Sequence, residues 1–182
     1  MIRLLDLLLS LIGLIILLPL MILIFILCLI ENSSPIFKQK RVGRNQKLFK
    51  LIKFRTMKKE TRSVATHLVD NSMITKSVNF LRRSKLDEVP QIFNVLIGNM
   101  SFVGPRPCLL NQKKLIRERQ KRGIFKVKPG ITGLAQLSGI TMKTPVLLAK
   151  TELKMISKMK LLYYFYYILR TFLSVSYTHL RA

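Results

Sequence analysis

The sequence predicts an α+β fold that is mainly helical: a membrane-inserted helix over residues 1–34, a small domain with a short β-hairpin and amphipathic membrane-surface helices over 35–175, and a separate tail over 176–182. Three observations predict it. Residues 7–30 are an apolar run without a charge, residues 36–55 hold two short apolar and basic runs around Gly43-Arg44-Asn45, and apolar residues recur at helical intervals beyond residue 80.

As one helix the apolar run would be about 36 Å long, enough to cross a hydrocarbon core of about 30 Å. It is too long for the apolar region of a signal peptide, and no small-residue cleavage site follows it, so it is expected to stay in the mature protein. Pro19 stands near its middle and removes a backbone hydrogen bond, so the segment either spans with a bend or turns back and leaves by the face it entered. Arg3 precedes the run, whereas Lys38, Lys40, Arg41, Arg44, Lys47, Lys50 and Lys53 follow it, which places the next domain in the cytoplasm by the positive-inside rule. Arg3 and Asp6 are three apart, the spacing of an ion pair on one helix face at the membrane boundary, although anchoring at the interface is the favoured reading.

The hairpin over 36–55 leads to a polar stretch, 58–80, expected as a surface loop entering a short basic helix that ends Phe80-Leu81-Arg82-Arg83. Ser84 and Asp87 have capping-box spacing, and Ile92, Phe93, Leu96 and Ile97 recur at helical intervals, so a helix is expected from Ser84 to a stop at Gly98. Pro90 implies a kink or a start closer to Asp87. Residues 111–128 carry Lys113, Lys114, Arg117, Arg119, Lys121, Arg122, Lys126 and Lys128 among Leu115, Ile116, Ile124 and Phe125; this predicts a cationic helix whose apolar side suits an anionic membrane surface. An RNA-binding helix would have the same composition, so the charge alone does not choose. The run 128–136, KPGITGLAQ, reads as a turn-rich loop whose Gly130 and Gly133 let backbone approach a ligand. Residues 145–175 read as helices, with Tyr163, Tyr164, Phe165, Tyr166, Tyr167 and Phe172 as packing or an interfacial aromatic belt.

With 32 basic and 8 acidic residues the chain carries +24, which calls for an anionic partner: nucleic acid, anionic lipid headgroups or phosphorylated substrates. Cys28 and Cys108 make no disulfide framework, and His67 and His179 have no metal-ligand spacing. Against this background the adjacent acids Asp87 and Glu88, just after Arg82, Arg83 and Lys85, mark the place where a metal or phosphate can be handled. The bland account is two acids complementing a helix dipole, worth about 0.3–1 kcal/mol each. The chemical account pairs a carboxylate nucleophile with a carboxylate ligand of Mg²⁺. Gly104-Pro105-Arg106-Pro107 then forms a stiff turn around an arginine, the side chain suited to bidentate phosphate recognition.

KFRTM (53–57), FLRRSKLDEVPQIFNVLIGNMSFVGPRP (80–107) and KPGITGLAQ (128–136), behind an apolar helix with a central proline, resemble the bacterial sugar transferase family over roughly residues 1–175. The resemblance implies a monotopic phosphoglycosyl transferase of the bacterial inner membrane. Such an enzyme moves a sugar phosphate from a UDP-sugar to undecaprenyl phosphate with Mg²⁺ and releases UMP. It also implies a re-entrant helix broken at Pro19, Asp87 as nucleophile and Glu88 as Mg²⁺ ligand. Arg106 and Arg83 become phosphate ligands, and Lys53, Arg55, Gly104, Pro105, Gly130 and Gly133 belong to the substrate-binding surroundings. Anionic lipid is then an expected partner and nucleic acid is not. The chain departs from the family pattern at Gly139-Ile140, where many members have Gly-Arg; at Thr141, where one branch has an acid; at Asn71 and Met73, in place of an Asp-x-Arg motif; and at Glu152, where an aspartate is common. The competing expectations are a noncatalytic membrane-tethered basic protein that binds nucleic acid or anionic lipid, and an inactive truncated relative.

Overall fold

The computed structural model describes residues 1–32, 34–56 and 76–179, apart from the side chains of 32, 76–79 and 174–179. Of the loop expected over 58–80, residues 58–75, with Asn71 and Met73, lie outside the described residues, and 76–80 are helical.

Helix α1, Ile2–Asn32, runs unbroken through Pro19. It buries a stripe made of Asp6, Ser10, Met21, Ile24 and Cys28, and leaves Leu4, Ile15, Ile16, Leu23 and Ile30 exposed, with Ile30 79% accessible. An apolar face of that size on a domain surface marks contact with a membrane or a partner. Arg3 and Asp6 do not pair with each other. Arg3 donates to the carbonyls of Val95 and Leu96 at 2.6 and 2.7 Å, capping the end of a helix. Asp6 accepts from Ser101 Oγ at 2.9 Å, Phe102 N–H at 3.1 Å and Tyr164 O–H at 2.6 Å. Burial decides the matter: a carboxylate taken out of water needs several donors, and three fixed ones outdo a single flexible cation.

Strands β1, Ile36–Val42, and β2, Leu48–Phe54, form the expected antiparallel hairpin, in register from Ile36 opposite Phe54 to Val42 opposite Leu48. Asn45 and Gln46 at the tip have φ of 53° and 59°. Phe49 and Leu51 alternate inward and meet Val95 and Met100.

Helix α2, Lys76–Arg83, ends where the sequence predicts a beginning. The Ser84 hydroxyl donates back to the carbonyls of Phe80 at 2.7 Å and Leu81 at 3.2 Å, so Ser84 closes α2 instead of capping a new helix. Lys85 then turns into the left-handed region, φ 58°, and Leu86–Glu88 form one 3₁₀ turn. Helix α3, Gln91–Leu96, starts only after Pro90 and stops at Gly98, φ +89°. The expected single helix is therefore three pieces. Proline is at ease at a helix start and not inside one.

Strand β3, Ser101–Val103, pairs in parallel with β4, Gly130–Thr132, so the expected turn-rich loop is in part a strand. Its glycines serve chain packing: a Cβ on Gly130 would lie 2.0 Å from Gly104 N, and one on Gly104 would lie 2.6 Å from Lys128 O. Helix α4, Lys113–Lys121, is shorter than expected, broken by Gly123 at φ +66°. Its apolar side is spent internally, because Leu115 is buried and packs with Val42, Cys108, Ala135 and Leu148, and Ile124, in the 3₁₀ turn past the break, is buried as well. Only its charged side is left for a membrane.

Helices α5, Leu134–Leu137, α6, Pro145–Ser157, and α7, Leu161–His179, complete the fold, and α7 continues three residues past 176. The aromatic run divides. Tyr164 and Tyr167 are buried against Val103 and Met155, whereas Tyr163, Phe165, Tyr166 and Phe172 face outward as a belt would.

Candidate active site

Asp87 and Glu88 share the 3₁₀ turn, in which successive residues point about 120° apart, so neighbours in sequence face different surroundings. The turn is braced from behind. Asn94 on α3 is fully buried, donates to Lys50 O at 2.8 Å and accepts from Ile52 N–H at 2.9 Å, riveting α3 to β2.

Asp87 points inward and is 6% exposed. Burial, and then the neighbouring Glu88 charge, push its carboxyl up to about 7 against the pull of Lys53, Arg82 and Arg106. Lys53, on β2, is drawn below the usual lysine range by burial, with Asp87 and Glu88 opposing. Glu88 takes a two-pronged hold from Arg106: Nη1 donates to Oε2 at 3.2 Å and Nη2 to Oε1. Burial acts to raise Glu88, but the Arg106 charge and hydrogen bonds prevail and hold it below the usual carboxylate range.

The loop carrying Arg106 is fixed on every side. Gly104 N–H donates to Thr132 O and Gly130 N–H to Pro105 O, both at 2.9 Å. Arg41 Nη1 donates to Pro107 O at 3.0 Å, and Arg119 Nη2 to Arg106 O at 2.8 Å. Arg119 is in turn held by Glu152 through bonds of 2.8 and 2.5 Å, both side chains being almost wholly buried.

Of the residues expected in the site, Asp87, Glu88, Arg106 and Lys53 come together. Arg83 is exposed at the end of α2, and its neighbour Arg82 is the one whose charge acts on Asp87. One guanidinium nitrogen of Arg82, Nη1, is buried without a hydrogen-bond partner. Arg55 sits at the base of the hairpin, donating to Ser34 O at 3.0 Å and lying over the Phe37 ring. Gly104, Pro105 and Gly130 shape the Arg106 loop, and Gly133 packs on Gly104 O and Met155. Sequence reasoning missed Arg82, Arg41, Asn94 and Arg119. A signal existed for Arg119 alone: Glu152 is one of only 8 acids in a very basic chain, so a buried cation partner could have been sought.

Two carboxylates are hard oxygen donors. Among the described residues no group of three or more His, Cys, Asp or Glu could hold a metal. By donor chemistry alone, the Asp87 and Glu88 oxygens are of the kind a hard cation such as Mg²⁺ takes, one or two carboxylates at a time with water and substrate phosphate completing the shell.

Fold and site together define a small basic domain, packed lengthwise on an apolar helix, that carries a buried acid pair under an arginine loop. The chain belongs to the bacterial sugar transferase family, whose model matches residues 1–178. It is 46% identical over 111 residues to a Bacillus subtilis protein named "Uncharacterized sugar transferase EpsL", covering 60% of this chain and 54% of that one. It is 46% identical over 117 residues to the UDP-glucose:undecaprenyl-phosphate glucose-1-phosphate transferase of Escherichia coli, covering 60% of this chain and 25% of that one. It is 36% identical over 142 residues to the exopolysaccharide production protein PSS of Rhizobium leguminosarum, covering 72% and 70%. The chain thus spans about half or less of the first two of these relatives.

Proposed function

We propose that the chain is a phosphoglycosyl transferase acting at the cytoplasmic face of a bacterial inner membrane. It moves a sugar 1-phosphate from a UDP-sugar to undecaprenyl phosphate, as the names of the Escherichia coli relative and of a Xanthomonas campestris relative suggest. The observation that carries this reading is the buried Asp87 set among Lys53, Arg82 and the Arg106–Glu88 pair. The buried Asp6 and Glu152 are each matched by hydrogen bonds or an ion pair that explain them structurally, whereas burial and Glu88 leave Asp87 raised to about 7, which a noncatalytic lipid- or nucleic-acid-binding role does not account for.

In the first step an Asp87 carboxylate oxygen attacks the phosphorus that bears the sugar. The bond to the bridging oxygen breaks, and UMP leaves with the electron pair. In the second step a phosphate oxygen of the lipid attacks the same phosphorus, and the Asp87 carboxylate is regenerated. Glu88 is the residue to hold Mg²⁺, whose chemistry when bound is to neutralise charge on the diphosphate. Lys53, Arg82 and Arg106 surround the reacting phosphate with positive charge, and water is kept from Asp87 by its burial.

Mass spectrometry of protein mixed with UDP-glucose or UDP-galactose, without lipid acceptor, is expected to find a phosphosugar adduct at Asp87. Asp87→Asn is expected to lose the adduct while still binding donor. Full turnover by Asp87→Asn would sink the mechanism. Glu88→Gln is expected to impair turnover mainly through its Mg²⁺ dependence, read as a higher Mg²⁺ concentration for half-maximal rate.

A further inference from the structure

Beside the acid pair, between the 3₁₀ turn, β4, α5 and α7, runs a groove of about 340 Å³. Glu88 and Arg106 stand on its wall together with Ile92, Ile131, Leu137, Ile168 and Phe172, so charge and a long apolar lining share one space. Its shape is set in advance, because the hydroxyls of Thr132 and Thr171 bond each other at 2.5 Å and pin α7 to β4.

Gln136 lines the same groove, and its side-chain amide nitrogen is buried without an acceptor. Buried donors are nearly always satisfied, so such a group marks a place where a ligand or water supplies the acceptor. The Arg106 side chain is 40% exposed, and its bonds to Glu88 use only part of its five N–H donors. The outer wall continues into the exposed apolar residues Leu169, Phe172 and Leu173 of α7. The space therefore asks for a molecule with an anionic, acceptor-only head and a hydrocarbon tail that continues toward an apolar phase. A nucleotide fits poorly, since the wall hydroxyls that could read a base are already engaged, Thr132 with Thr171 and Ser84 with the Phe80 and Leu81 carbonyls.

We propose that this groove is the acceptor subsite, with the phosphate of a polyprenyl phosphate between Arg106 and the Gln136 amide and its first isoprene units along Ile131, Ile168 and Phe172. The proposal rests on the phosphoglycosyl transferase reading and adds to it a location for the lipid and a positioning residue, Gln136.

The chain has no tryptophan, so Phe172→Trp places a single reporter at the groove. In that background farnesyl phosphate is expected to give a saturable change in emission, with farnesol and inorganic phosphate each binding at least about tenfold more weakly. Gln136→Leu, nearly the same shape without the donor, is expected to weaken farnesyl phosphate by roughly tenfold, the factor set by about 1.4 kcal/mol. In turnover assays of otherwise native protein the same substitution is expected to raise KM for the lipid acceptor, while the burst of UMP from UDP-glucose without acceptor keeps its amplitude. Equal responses to farnesyl phosphate and inorganic phosphate would overturn the subsite. So would an unchanged affinity in Gln136→Leu, or a burst that falls in step with acceptor binding, since that pattern belongs to a merely structural residue. Absence of any UMP burst from the native protein counts against the enzymatic reading instead, because the fluorescence titration needs no turnover.

Discussion

Glu152 and Arg119, 1% and 2% exposed, hold the site although neither faces it. Arg119 spends two bonds on Glu152 and one on the Arg106 carbonyl, so a buried ion pair fixes the backbone of the residue that clamps Glu88. Removing one member leaves an uncompensated charge in the interior, a loss of about 3–5 kcal/mol, whereas replacing both with apolar residues is often neutral or stabilising. Glu152→Gln is expected to lower the thermal midpoint strongly in detergent-solubilised protein. Arg119→Met combined with Glu152→Leu is expected to recover most of that stability but not turnover, because nothing then holds the Arg106 carbonyl. Recovery of both by the double variant would show that the pair only stabilises the fold. At this scale legibility depended on rarity. Asp87 and Glu88 stood out in a chain with 32 basic residues; the rarity of Glu152 pointed to a buried cation partner, but Arg119 was one cation among eight in its segment, and the tertiary fold is what selects it. Arg83 was preferred to Arg82 because sequence spacing cannot say which of two adjacent helical residues turns toward the acid.

The elements with a strong local signal were legible: the long apolar helix, the hairpin around Gly43, the glycine stop at Gly98 and the two C-terminal helices. Ser84 misled because a serine hydroxyl can close the helix behind it as readily as it opens the one ahead, and the choice was made by Lys85 reversing the chain. The β3–β4 pair was not legible, since three-residue parallel strands separated by α4 leave no periodicity to read. What KPGITG does carry is a contact requirement. Gly130→Ala would drive a Cβ to 2.0 Å from Gly104 N, backbone against backbone, where no side chain can give way. Overpacking typically costs about 1–3 kcal/mol, and this contact is expected to exceed that range and to separate β3 from β4. Gly139 has φ +67° with nothing within 4 Å of an added Cβ, so Gly139→Asn, which tolerates that backbone, is expected to stay folded. Folded yield and thermal midpoint of the two variants side by side check the contrast; equal losses would mean that general glycine flexibility, not the Gly104–Gly130 contact, is at stake.

At the scale of the whole molecule, charge and apolar surface are arranged on one frame, and the arrangement decides topology. Helix α1 has 31 residues, so it is about 46 Å long, more than a bilayer core requires. Length alone left spanning and turning back equally open in the sequence. The contacts along α1 separate them. Near its start Arg3 holds Val95 and Leu96 and Asp6 holds Ser101, Phe102 and Tyr164; at its middle Gly13 meets Ile92; near its end Met21, Ile24 and Cys28 pack with Phe54 and Leu81. One basic domain thus touches both ends of the helix. A straight span would drag that domain through the hydrocarbon, where each central Lys or Arg costs about 2.5–3.5 kcal/mol by insertion scales. Both ends of α1 are therefore expected on the same side, with its exposed leucines and isoleucines dipping into one leaflet. In a Cys28→Ser, Cys108→Ser background, Ile2→Cys and Lys38→Cys are expected to resist an impermeant maleimide in intact spheroplasts and to react together in inverted vesicles. Reaction of the two from opposite sides would establish a spanning helix. Asp6→Leu with Pro19→Leu removes the anchor and restores the missing backbone donor, so this double variant is expected to move the position-2 thiol, at least in part, to the outer face while position 38 stays inside.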